Sequence, residues 1–344
     1  MKATYSKYIL NFKQPGGTSR GILNTKETWF IFLTQAEKKG IGECGIFRGL
    51  SADNCTDYEK QLQWTCENIH LGLEQLYKKN RLFPSIQFGL ETAFKSLESE
   101  TPFELFPSEF TRHNASIPIN GLIWMGTESF MKAQVKEKIK AGFTCLKMKI
   151  GALDFSTELN ILKIIRQEFS SSDIEIRVDA NGAFSVKEAL ERLKQLADLE
   201  LHSIEQPIKP GQIQEMAQLC SETPLPIALD EELIGIFDYA AKAKLLQTIQ
   251  PQYVILKPSL VGGWQGSREW INTASENKTK WWITSALESN VGLNAIAQWT
   301  FTLNNPMPQG LGTGSLFTNN FSSPLWVKNG TLRYNNTVKW NFNL

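Results

Sequence analysis

The sequence predicts an α/β protein: a parallel barrel of alternating strands and helices, preceded by a smaller α+β domain. Three observations carry this. The first ~100 residues read as three strands followed by helices. From about residue 115, short apolar runs alternate with helical runs about eight times. The length, 344 residues, suits a barrel of roughly 250 residues plus a smaller domain. A doubly wound open sheet is the alternative architecture for the same alternation.

The elements follow in order. YSKYILNFK, ETWFIFLTQ and GIGECGIFRGL are strand-like, with the glycines at 16 and 17 in a polar loop, QPGGTSRG, between the first two. The KKG at 38–40 suits a hairpin turn. Between 56 and 78, Tyr58, Leu62, Cys66, Ile69, Leu73 and Leu76 recur every three or four residues, one face of a helix. A second helix covers about 84–98. The barrel strands are SIPINGLI, FTCLKMKI, IEIRVDA, LHSIEQP, PIALDEE, YVILKPS and WWITSALES, with GLGTG at 310–314 as the eighth. Helices fall between them at 128–141, 157–170, 186–197, 211–221, 236–248 and 263–277. An Asn-Gly turn then joins two strand-like runs near the C-terminus. The expected division is residues 1–112 for the small domain, 113–319 for the barrel, and about 320–344 returning to the small domain.

Bulk properties exclude several function classes. The chain is 42% hydrophobic and 21% charged with a net charge of +1, so it carries no basic footprint for nucleic acid or a membrane surface. No apolar stretch reaches membrane-spanning length, and the N-terminus lacks a signal-peptide core. Five scattered cysteines without a CxxC pair read as reduced thiols in a cytoplasmic protein. The expected partner is a small-molecule carboxylate. Oligomeric state is open, a homo-oligomer included.

The chemistry lies at the strand ends. Lys149, Asp179, Glu205, Asp230 and Lys257 end successive apolar strands at intervals of 30, 26, 25 and 27 residues, one βα unit each. Buried parallel strands are near-continuous apolar runs, so a charge at each C-terminal end is exceptional. In a parallel barrel these ends converge on one rim, where catalytic groups sit. Three converging carboxylates repel unless a cation lies among them. Their hard oxygens suit Mg²⁺, with Mn²⁺ a substitute, and argue against zinc. In TCLKMKIG, Lys147 and Lys149 share a strand face. A second ammonium and partial burial would lower a lysine pKa and make it a base. Beside a divalent cation, such a base suits removal of a proton alpha to a carboxylate.

At these residues the chain resembles the enolase superfamily, in its muconate-lactonizing-enzyme subgroup. The carriers are Lys147-Met-Lys149, Asp179-Ala-Asn-Gly, Glu205-Gln-Pro, Asp230-Glu and Lys257-Pro. The resemblance covers essentially the whole chain. It implies a modified (β/α)7β TIM-like barrel behind an α+β capping domain, with Asp179, Glu205 and Asp230 as metal ligands. Lys149 and Lys257 would face each other across the substrate, and Asn181 and Glu231 would stand behind the ligands. A lysine or histidine base beside Mg²⁺ is itself the general rule for such sites. No histidine follows His202, which argues against a late histidine base.

SALESNVG at 285–292 and GLGTGSLF at 310–317 resemble the o-succinylbenzoate synthase branch most. That branch implies a metal-dependent lyase of menaquinone biosynthesis, a syn dehydration with Lys149 as base, Lys257 as cation-π partner and Lys147 tuning Lys149. N-succinylamino acid racemases, dipeptide epimerases and muconate cycloisomerases share the lysines and acids, and an inactive barrel acting as a binding protein is the non-enzymatic alternative. The last strand has no acid to hold a dipeptide ammonium. Ser285, Gly312 and Arg20 are the expected substrate-binding residues. Ser285 and Glu288 either line the pocket or cap the following helix. The stretch 14–21 is either a lid or a plain surface loop.

Overall fold

The computed structural model describes residues 1–18 and 21–344. The capping sheet is antiparallel, in the order β1 (Lys2–Thr18), β2 (Gly21–Gln35), β3 (Lys38–Cys44). Pairing of β1 with β2 runs from Lys2↔Thr34 to Asn11↔Thr25, breaks at a bulge, and resumes at Gly16↔Leu23. The glycines expected in a polar loop are therefore in strand. This ribbon lies on the barrel: a Cβ at Gly17 would meet the Met125 carbonyl oxygen at 2.5 Å. Only glycine allows that approach. The expected turn at 38–40 also shifts, because Gln35 already pairs with Lys38 and the turn is Ala36–Glu37.

Helix α1 (Tyr58–Glu67), a 3₁₀ turn at Ile69–Leu71 and α2 (Gly72–Lys79) replace the single helix expected over 56–78. Their shared apolar face survives the break, and Leu62 and Leu76 are wholly buried. Helix α3 (Pro84–Glu98) packs on the sheet backbone to backbone; a Cβ at Gly42 would lie 1.9 Å from the Gly89 carbonyl oxygen. A short helix α4 (Glu109–Arg112) leads out of the domain.

The SIPINGLI run divides. β4 (Ser116–Pro118) belongs to a small outer sheet, and β5 (Gly121–Ile123) begins the barrel. Then come α5 (Glu128–Lys140), β6 (Cys145–Lys149), α6 (Phe155–Glu168) and β7 (Glu175–Asp179). They are followed by α7 (Val186–Ala197), β8 (Ser203–Glu205), α8 (Ile213–Glu222) and β9 (Ile227–Leu229). Next are α9 (Tyr239–Ile249), β10 (Tyr253–Leu256), α10 (Pro258–Val261) and α11 (Gly263–Glu276). β11 (Lys280–Ile283) and α12 (Asn290–Thr302) complete the alternation. Strands β5 to β11 form one parallel sheet in sequence order.

Residues 309–310 close the ring. Gln309 bridges Ile119 and Gly310 bridges Thr284, both in parallel sense. This is the eighth strand of a (β/α)7β barrel, one residue earlier than GLGTG begins. The C-terminal hairpin, β12 (Leu325–Lys328) and β13 (Thr331–Tyr334), pairs with β4 rather than with the capping sheet. Beyond it, Phe342 packs on Phe30 at 5.5 Å and on Phe321 at 4.5 Å. All five cysteines are unpaired.

Two residues before Asp179 on β7, the buried Arg177 plugs the barrel: its guanidinium lies 4.2 Å from the Trp282 ring and donates to Glu175 at 2.7 Å. His202 sits beside this plug, 4.8 Å from the Tyr253 ring, and burial lowers its pKa to about 4. A depressed imidazolium pKa means that the unfolded chain binds the extra proton more readily. The stability contribution of neutral His202 is thus present above pH ~6.5 and lost as pH falls toward its folded value. After discounting for partial exposure it is about 1–2 kcal/mol. An NMR titration should place His202 near 4, and His202→Gln should flatten the loss of denaturation midpoint between pH 6.5 and 4.5. A midpoint of titration near 6.5 would refute this.

Candidate active site

Strand register aligns the charged ends. Lys149 pairs with Asp179, and Asp179 with Glu205, so three of the five sit side by side on β6, β7 and β8. Asp230 follows β9 and Lys257 follows β10. Strands β6 and β10 stand four apart in an eight-strand ring, which puts Lys149 and Lys257 on opposite walls. Both line a cavity of about 380 Å³, together with Lys147, Asn181, Ser285, Gly312 and Thr313. The capping domain supplies Phe47 and Leu50 to the same cavity, and Lys13, Gln14 and Pro15 from the glycine ribbon. Arg20, and with it part of the expected lid, lies outside the described residues.

The charged groups are interleaved. Lys147 Nζ lies 2.9 Å from Asp179 Oδ2 and also donates to Glu205. Lys149 Nζ donates to Asp179 Oδ2 at 2.9 Å and to Asn181 Oδ1 at 2.7 Å. Lys257 Nζ donates to Asp230 and stands 4.0 Å from Glu205 Oε1. Asn181 donates through Nδ2 to Glu231 Oε1 at 3.0 Å, and its backbone N–H donates to Asp179 Oδ1 at 3.0 Å. Both expected supporting residues are therefore in contact with the cluster.

Gln206 was not singled out in the sequence, although it follows Glu205 directly. Its Oε1 accepts the Asp230 and Glu232 backbone N–H groups, each at 3.2 Å, and its Nε2 donates to Glu232. It fixes the backbone that carries Asp230. The expected choice for Ser285 and Glu288 resolves differently for each. Ser285 lines the cavity, Glu288 is wholly buried behind it, and the cap of α12 is Ser289, which accepts from Val291 N at 3.1 Å.

At Lys147, burial pulls the pKa down, but Asp179, Glu205 and Asp230 outweigh burial and hold it well above the usual lysine value. Asp179 is buried too, yet Lys147, Lys149 and Lys257 hold its carboxyl well below the usual range. Glu205 goes the other way: burial first, then the Asp179 charge, push it well above the carboxylate range. It is flanked by a carboxylate on each side.

Among the described residues, no three His, Cys, Asp or Glu side chains already close on a common metal position. Lysine ammoniums lie between the carboxylates instead. The residues nevertheless fit a hard divalent cation. Asp179, Glu205 and Asp230 offer only oxygen donors, all buried. Glu205 Oε1 is buried without a hydrogen-bond partner, a cost a cation would remove.

A ring of eight strands with charges at the rim and a separate domain over its mouth defines a barrel enzyme of the enolase type. Residues 130–337 match the family model described as enolase C-terminal domain-like, and the chain belongs to the enolase superfamily, whose enzymes depend on a divalent metal. It is 45% identical to o-succinylbenzoate synthase of Desulfotalea psychrophila over 96% of this chain and 98% of that one. The crystal structure of MenC from the same organism matches at a TM-score of 0.86 and 42% identity, over 97% of this chain and 99% of that chain. The muconate lactonizing enzyme of Pseudomonas fluorescens shares the fold at a TM-score of 0.85 and 19% identity, over 99% of this chain and 96% of its own. Similarity to the L-Ala-D/L-Glu epimerase of Bacillus subtilis is 25% over 60% of this chain and 55% of the epimerase. Among the described residues no helix is long and apolar enough to cross a membrane.

Proposed function

We propose that this chain is a Mg²⁺-dependent o-succinylbenzoate synthase, a lyase acting in the cytoplasm in menaquinone biosynthesis. It would convert 2-succinyl-6-hydroxy-2,4-cyclohexadiene-1-carboxylate to o-succinylbenzoate and water. The observation that carries this is the placement of Lys149 and Lys257 on opposite walls of one cavity, with three carboxylates between them. Likeness to the D. psychrophila synthase over nearly the whole of both chains selects this reaction among those the arrangement permits.

Asp179, Glu205 and Asp230 would hold Mg²⁺, or Mn²⁺ in its place, and Gln206 keeps Asp230 in position. The cation, when bound, neutralises these carboxylates and stabilises negative charge developing on the substrate carboxylate. Lys149, in its neutral form, takes the proton alpha to that carboxylate. The resulting ammonium, on the same ring face, gives the proton to the departing hydroxide, so that water leaves and the ring becomes aromatic. Lys257 stays protonated over the opposite face, where an ammonium stabilises electron-rich ring character. Lys147 contacts the substrate carboxylate and tunes Lys149. Asn181, bonded to both Lys149 and Glu231, aims the base.

Racemisation of an N-succinylamino acid is the second reading, since opposed lysines could also exchange a proton across one carbon. A dipeptide is disfavoured: the wall at 310–315, GLGTGS, has no acid for an ammonium. The deciding assay follows loss of the diene absorbance with Mg²⁺ and then with EDTA. Turnover is expected with the metal and not without it. No turnover with Mg²⁺ present would overturn the dehydratase and favour the racemase.

A further inference from the structure

Behind the cavity wall, the capping sheet and the barrel share a buried polar seam. Glu43, at the end of β3, accepts from Thr28 Oγ1 at 2.8 Å, Ser289 N at 2.9 Å and Gly292 N at 2.8 Å. Glu288 accepts from Ser259 Oγ, from Ser285 Oγ at 2.8 Å and from Ala286 N at 2.8 Å. Both carboxylates are 0% exposed. The third charge is Lys26 of β2, 5% exposed, whose Nζ has no hydrogen-bond partner. It lies two residues before Thr28, the donor to Glu43, on the same buried face of β2. Glu43 and Glu288 adjoin each other, since a Cβ at Gly292 would meet both, at 2.9 and 2.8 Å, and they are the two carboxylates that act on Lys26. Burial pulls its pKa down and pushes that of Glu288 up, and each charge works against the shift of the other.

The seam controls a wall of the cavity. An ionised carboxylate can only accept, so the single proton of Ser285 must point at Glu288. The Ser285 oxygen then accepts from Thr313 Oγ1 at 2.9 Å and from Leu287 N at 2.9 Å. Its donor and both of its acceptor positions are engaged within the protein. The Thr313 proton is also committed, so Thr313 presents only lone pairs to the cavity that both residues line. Ser259, the other donor to Glu288, lies two residues beyond Lys257.

We propose that Lys26 is a positioning residue: its ammonium, carried by the capping sheet, balances Glu288, and ionised Glu288 sets the direction of the Ser259, Ser285 and Thr313 hydroxyls at the cavity wall. Without Lys26, Glu288 is a buried carboxylate with no countercharge and takes up a proton. It becomes a donor, and the hydroxyl chain is free to reverse. As far as substrate is concerned, the inference rests on the synthase reading.

The test is a double-mutant cycle of Lys26→Met and Glu288→Gln. Lys26→Met should raise KM for the cyclohexadiene carboxylate about threefold to tenfold, the worth of one hydrogen bond, with a smaller change in kcat. Combining it with Glu288→Gln, which removes the uncompensated charge, should restore part of the urea midpoint and leave KM no higher than in Glu288→Gln alone, because an amide has already freed the hydroxyls. Additive effects on both quantities would overturn the proposal. The urea cycle needs no substrate, so wild-type inactivity would sink the synthase reading while the Lys26–Glu288 coupling was still measured. Glu288→Gln alone, which keeps Lys26 beside Glu43, supplies a second folded comparison should Lys26→Met misfold.

Discussion

Replacing Lys149 by alanine should lower kcat on the order of 10²- to 10⁴-fold, the range of a positioned general base, while o-succinylbenzoate still binds. The separation follows from the geometry. Lys149 is one of three ammoniums on the cluster, and Lys147 keeps its own bonds to Asp179 and Glu205 when Lys149 is removed. Cation binding should survive as well, because the substitution takes one competing ammonium away from Asp179. Steady-state rates and product titration on the same preparation check both halves. Full turnover by Lys149→Ala would remove it from the role of base.

The second large effect concerns the metal. Adding Mg²⁺ to metal-free protein should raise the melting temperature by several degrees; a ligand at a hundred times its Kd stabilises by about 2.7 kcal/mol. Glu205→Gln should abolish that rise and the activity together. It should also leave the metal-free protein as stable as the wild type or more so. Glu205 stands between Asp179 and Asp230 with an unpartnered buried oxygen, so an amide relieves repulsion there when no cation is bound. Differential scanning calorimetry with and without Mg²⁺ reads both outcomes. An undiminished Mg²⁺ response in Glu205→Gln would exclude Glu205 as a ligand.

What could be read from the residues and what could not divide along physical lines. The five charged strand ends were visible because a charge on a buried strand is costly, and five at one repeat spacing have no common structural cause. The barrel followed from the same spacing. The ribbon at Gly16 and Gly17 was misread because local polarity signals a loop, whereas its pairing is imposed by contact with Trp124 and Met125 on the barrel. The break between α1 and α2 left no mark on the apolar period, which continues through it. The bonds of Gln206 and the grouping of Lys26 and Glu43 with Glu288 were invisible for a related reason. Their partners lie far off in the chain, as with Glu43 and Ser289 at a separation of 246 residues, and a polar residue does not announce that it will be buried.

The packing of Phe342 on Phe30 has a consequence for synthesis. The aromatic face of β2 leaves the ribosome roughly three hundred residues before the ring that covers it. At about 5–20 residues per second, that face waits between about 15 s and a minute. Through that interval the nascent capping sheet carries an uncovered sticky surface next to open strand edges, and a holding chaperone has its natural target there.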